Sequence, residues 1–260
     1  MREAESIAQI DAKLSADILA HNKKFEKMFV FALLLCVFIF KGWFTYWLRF
    51  GVAKPIKTTN VPISVLNDPI QINYTLQERK EKSFLYRSLI NDNRILIIPQ
   101  AHYELSGLVV AYNSHFFFRN RFFDSTALYD LGASWGKMGD KKFYKKYYES
   151  YSQKNEIQGS RVLWTRSKIY PPILPQEYST SHYSHSHIVP ANRNVMAALL
   201  KIKKWSNVKI EGELVDMAFD GQNYHTSMSR TDSGWTGDRG NGSCETVYVT
   251  SVQIGNKIYK

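Results

Sequence analysis

Cysteine is scarce in this chain of 260 residues: there are two, Cys36 and Cys244. Cys36 lies inside an apolar run and Cys244 near the C-terminus, so the two are not expected to pair. This excludes a disulfide framework and a four-thiolate zinc site. Motifs that would announce a chemistry are also missing. There is no Gly-x-Ser-x-Gly elbow, no Walker pattern, no dinucleotide fingerprint, no EF-hand loop and no His-Glu-x-x-His. Acidic residues are outnumbered: 34 Lys and Arg face 23 Asp and Glu, for a net charge of +11. The excess persists beyond Gly51. A basic domain suits anionic lipid, nucleic acid or acidic polymers, and charge alone does not choose among them.

Aromatic residues are abundant, with 16 Tyr, 15 Phe and 6 Trp, which argues for a packed core and against disorder. Met28 to Leu48 forms one long apolar run whose only charge is Lys41. At full helical rise it extends about 30 Å, the thickness of a hydrocarbon core. Phe29, Leu33, Phe38, Trp43 and Trp47 are its expected lipid-facing anchors, with Trp43, Tyr46 and Trp47 as an interfacial belt. Lys41 is close enough to that end to snorkel. Lys13, Lys23, Lys24 and Lys27 precede the run, and Arg49, Lys54 and Lys57 follow it. The short arm 1–27 is therefore expected in the cytoplasm, and the C-terminal domain in the periplasm of a bacterial inner membrane.

Pro55, Pro62 and Pro69 mark an extended linker after the run, and Leu76 to Ile90 reads as a charged helix. From Arg94 the pattern becomes β: RILIIP, Tyr103 to Asn113, Val208 to Phe219 and Cys244 to Ile254 are strand candidates. Gly107 and Gly212 each interrupt an apolar strand, as residues at barrel bends with positive φ would. Lys141 to Tyr151 and Asn192 to Trp205 are helix candidates. The expected fold class is α+β: one N-terminal transmembrane helix plus a β-rich domain, with a small OB- or SH3-like barrel and added helices as its candidate form. The expected parts are 1–27 as cytoplasmic arm, 28–48 as membrane helix, 49–93 as linker and helical arm, and 94–260 as the β-rich domain.

Two segments carry candidate chemistry. SHYSHSHIVPAN places His182, His185 and His187 close together, and on a strand His185 and His187 face one side, near enough to share a metal. His102 and His115 are more distant candidates. No complete ligand set accompanies them, so a polar loop is the expected reading and no cofactor is expected. The second segment, SMSRTDSGWTGDRGNGSCETVYV, sets Arg230 and Asp232 before a glycine-rich loop and Glu245 after it. Its structural reading is a long hairpin loop tied by Arg230 to Asp232 or Glu245; its functional reading is an anion site. Cys244 is a candidate nucleophile with one of the histidines, set behind the role of a small buried hydrophobe. The basic aromatic stretch KKFYKKYYESY is set down as a solvated helix before a nucleic-acid surface.

LSGLVVAY, the DLGASWG run from Asp130 to Gly136, SHSHIVPAN, VKIEGELVD and the glycine-rich segment together resemble an uncharacterised group of bacterial single-pass envelope proteins. The resemblance implies a bacterial envelope setting and brings no activity with it. The expected function is an accessory or structural subunit of an envelope complex, acting by protein binding. Its partners would be other membrane or envelope proteins and the bilayer, with self-association allowed and nucleic acid not expected. The alternatives are a membrane-anchored hydrolase or metal-dependent enzyme, using His185, His187, Arg230, Asp232 and Glu245, and then a nucleic-acid-binding module.

Overall fold

The computed structural model describes residues 27–31, 50–90, 93–114, 126–154, 161–219, 222–224 and 244–260. The chain divides between Gly51 and Val52. Of the first unit, residues 27–31 are helical. The second unit is mostly β, and five of its strands close on themselves. They are β4 (Arg94–Ser114), β5 (Tyr129–Ser134), β8 (Tyr183–Pro190), β9 (Asn207–Phe219) and β11 (Cys244–Ile254). β4 pairs antiparallel with β5, β5 antiparallel with β8, and β8 parallel with β11. β11 then pairs antiparallel with β9, and β9 antiparallel with β4. Such a ring leaves its members without free edges. The remaining strands of this sheet hang on the ring. β1 (Lys57–Thr58) joins β12 (Lys257–Tyr259), which joins β11. β2 (Ile70–Asn73) and β3 (Phe84–Arg87) pair with β4, and β10 (Gln222–Tyr224) with β9.

Long strands must bend to follow a ring of this size, and they do so at irregularities in pairing. The register slips between Pro99 and Ala101, between Val109 and Ala111, and between Val249 and Ser251. Pro99 has no amide hydrogen to give a ladder, so a slip is where a strand interior tolerates it. Gly107 and Gly212 do not have the positive φ expected of them; Gly51, Gly136 and Gly255 do. Their role is close approach instead. A Cβ on Gly212 would overlap the Tyr248 carbonyl oxygen of β11, and one on Gly107 would stand 3.0 Å from Ala133 Cβ and 3.2 Å from Ser134 O.

Helices are short insertions: α1 (Leu76–Lys82), α2 (Lys141–Tyr147), α3 (Gln176–Ser181) and α4 (Arg193–Leu199). Local chemistry sets their starts. Thr75 and Glu78 form a capping box on α1, and Asp140 and Asn192 accept from Phe143 and Val195 amides at α2 and α4. α1 stops at Lys82 because Phe84–Arg87 pairs with Arg94–Ile97 of β4. α2 stops at Tyr147 because Tyr148–Lys154 is β6, the partner of β7 (Arg161–Ser167) in a separate two-stranded sheet. Aromatic residues suit a half-buried pleated surface as well as a helix face, and pairing decides.

The α+β expectation with an N-terminal transmembrane helix is therefore corrected. The molecule is β-rich, built on one ten-stranded sheet, and its described helices are one or two turns long. Among the described residues no helix is long and apolar enough to cross a membrane. Of the run 28–48, residues 28–31 are described; Leu33, Phe38, Trp43 and Trp47 lie outside the described residues, and Phe29 is exposed on the short helical piece.

Candidate active site

β8 is the strand around which the site is built. It lies between β5 and β11 and is buried along its whole length, although its sequence, YSHSHIVP, is rich in polar groups. Buried polar groups need partners, and strand alternation sorts them onto two faces. On one face the Ser184 hydroxyl donates to Glu245 Oε2 at 2.7 Å and meets Ser186 Oγ at 2.7 Å. On the other stand His185 and His187.

Register brings the histidines their neighbours. Asp130 of β5 is directly opposite His187, and Cys244 of β11 directly opposite His185. Cys244 Sγ is 3.0 Å from His185 Nδ1, and Asp130 Oδ1 is 2.8 Å from His187 Nδ1. His185 Nε2, which has no hydrogen-bond partner among the described residues, faces Asp130 Oδ1 at 3.7 Å. The two imidazoles meet edge to face with centroids 4.4 Å apart. Asp130 is fully buried, and His185 and His187 nearly so.

The electrostatics follow from that packing. Burial pushes the Cys244 thiol up, but the positive charge of His185 at hydrogen-bond distance, and then of His187, outweighs it and brings the thiol down to about 6. Burial opposes protonation of His187, and the Asp130 carboxylate overcomes this and raises the imidazole to about 10. His185 is raised as well: burial acts against it, and the Cys244 thiolate prevails. The packing therefore favours a thiolate at Cys244 and a protonated imidazole at His187.

Among the described residues the site is open on one side. Cys244 and His185 form part of the lining of a cavity of about 680 Å³, walled by β7, α3 and the loop between them. A larger hollow of about 1070 Å³ lies elsewhere, against Asn60, Leu108 and Trp205, and has no such groups.

His185, His187 and Cys244 each offer one ligand atom, all within 4.8 Å of one another, and by donor type they suit a soft or borderline divalent metal. Around a tetrahedral zinc, with bonds of about 2.0 to 2.3 Å, sulfur and nitrogen ligands stand roughly 3.5 Å apart. The 3.0 Å between Sγ and Nδ1 is shorter than that ligand separation and within hydrogen-bonding reach.

The other sequence candidates are dispersed. His182 stacks on Tyr178 at 3.7 Å between centroids, donates from Nδ1 to the Tyr178 carbonyl and lies 3.8 Å from Asp68. His102 pairs with Glu104 on β4. Glu245 is buried on the face of β11 opposite Cys244, with Ser184. Arg230, Asp232 and His115 lie outside the described residues, as does the glycine-rich loop 231–243. Asp130 was not singled out from the sequence for chemistry. Its signal was an acid inside the otherwise apolar and small YDLGAS, where an unpaired carboxylate would be costly.

No protein-family model, no curated protein and no solved structure matches the chain.

Proposed function

We propose that the chain is a cysteine-dependent hydrolase or acyl transferase, with Cys244 as nucleophile and His185 as general acid and base. The observation that carries this reading is the 3.0 Å contact between Cys244 Sγ and His185 Nδ1 on the wall of a cavity. A nucleophile within hydrogen-bond reach of a base, the base facing a third group, is the recurring constellation of covalent catalysis. Here the third group is Asp130, which faces the far nitrogen of His185 and pairs with His187. Asp130 and His187 are positioning residues that hold the imidazolium charge beside sulfur.

The step balances without a redox partner. The thiolate attacks a carbonyl carbon and a carbon–sulfur bond forms. The bond to the leaving nitrogen or oxygen breaks, and that atom takes the proton from His185. Water, or an acceptor amine or alcohol, then gives a proton to His185 and displaces sulfur, regenerating the thiolate.

The reading as an accessory subunit of an envelope complex ranks behind this one. Burying Asp130, His185 and His187 together costs desolvation free energy that an apolar core would avoid. A reactive thiolate at a cavity wall gives that cost a use, whereas binding alone does not.

The test is the rate at which iodoacetamide alkylates Cys244 in the full-length chain, followed by peptide mass from pH 4 to 10. The reading predicts a half-maximal rate near pH 6. A profile rising only toward the ordinary thiol value of 9.0 would refute it.

A further inference from the structure

We infer that the outer edge of β7 binds an extended polypeptide as an added antiparallel strand, which presents a backbone or side-chain amide to Cys244. The inference rests on the thiol-enzyme reading and names its substrate class.

The argument starts from which way β7 points its backbone. In an antiparallel pair, alternate residues turn their N–H and C=O toward the partner strand and the others turn them away. The Lys168 amide donates to Tyr147 O at 2.8 Å, continuing the β6–β7 register in which Arg166 is opposite Glu149. Even-numbered residues of β7 therefore face β6. Leu163, Thr165 and Ser167 turn their backbone groups to the other side. The Tyr183 hydroxyl confirms the sense by donating to Leu163 O at 2.7 Å. The outward groups of Thr165 and Ser167 have no backbone partner among the described residues.

That edge is not open surface. Leu163, Thr165 and Ser167 line the same cavity as His185 and Cys244, as do Ser179 and Thr180 of α3. A strand edge unpaired among the described residues and lining one cavity with a nucleophile is a template for strand addition, in which main-chain hydrogen bonds give affinity irrespective of side chain. Arg166 and Lys168 line the cavity, but Arg166 is paired with Glu149 at 2.7 Å and Lys168 Nζ donates to Lys145 O, so recognition rests on the main chain rather than on side-chain charge.

The experiment compares three electrophiles on the full-length chain at pH 7, read as the labelling rate of Cys244 by peptide mass. They are chloroacetone, an acetyl-Ala-Ala-Ala chloromethyl ketone, and the same peptide with N-methyl groups on its backbone amides. We expect the peptide to label about tenfold faster than chloroacetone, the gain from two or three main-chain hydrogen bonds. N-methylation should remove most of that gain. Equal rates for the peptide and its N-methylated form would overturn strand addition. Slow labelling by all three, chloroacetone included, would instead overturn the thiolate reading on which it rests.

Discussion

At the scale of single residues, the account turns on one sulfur and the charges around it. His185 is the largest favourable influence on the Cys244 thiolate and His187 a smaller one. Replacing either with Gln removes a cation without opening a large void. We expect both variants to raise the pH at which alkylation is half-maximal, His185→Gln by more. The two pH profiles, measured on chains that still melt cooperatively, check the order. This residue-level pattern was only half legible. That His185 and His187 share a face follows from period two on a strand, and the sequence shows it. That Cys244 meets His185 depends on parallel pairing between strands 59 positions apart, which no local pattern encodes.

At the scale of elements, Gly212 and Gly107 sit where strands of the ring come closest. At Gly212 the obstacle to a Cβ is the Tyr248 main chain, which cannot rotate away. At Gly107 it is a methyl group and a carbonyl, at distances a small shift relieves. Gly212→Ala should cost about 3 kcal/mol and Gly107→Ala about 1 kcal/mol, as overpacking of unequal severity. Urea unfolding of the two variants measures both; equal costs would count against this geometry. Three of the ring's strands were legible as apolar runs: the two halves of β4, β9 and β11. β8 was not, because its buried positions are Ser and His rather than Val and Ile. Its burial comes from lying between β5 and β11, and its polar groups are tolerated because Glu245, Asp130 and Cys244 arrive from those neighbours. The helices were overextended from sequence because Lys- and Tyr-rich segments satisfy both periods until a partner strand claims one end.

At the scale of the whole molecule, the buried ion pairs tie stability to pH from both sides. His187 is raised in the fold from 6.5 to about 10, so its contribution is full below 6.5 and is lost as pH rises through 10. Cys244 is lowered from 9.0 to about 6, so its contribution is full above 9.0 and is lost as pH falls through 6. Melting temperature should therefore peak between about 6.5 and 9, and Cys244→Ser should flatten the acid limb of that curve. Thermal scans of both proteins across pH 5 to 10 measure it. The central claim is that Cys244 carries an acyl group during turnover, and p-nitrophenyl acetate tests it most directly in a rapid-mixing experiment. The account predicts a burst of one p-nitrophenolate per chain, with a hydroxylamine-labile acetyl group on Cys244 by mass, and neither in Cys244→Ala. A burst that persists in Cys244→Ala, or no burst and no acetyl adduct in the native chain, would contradict it.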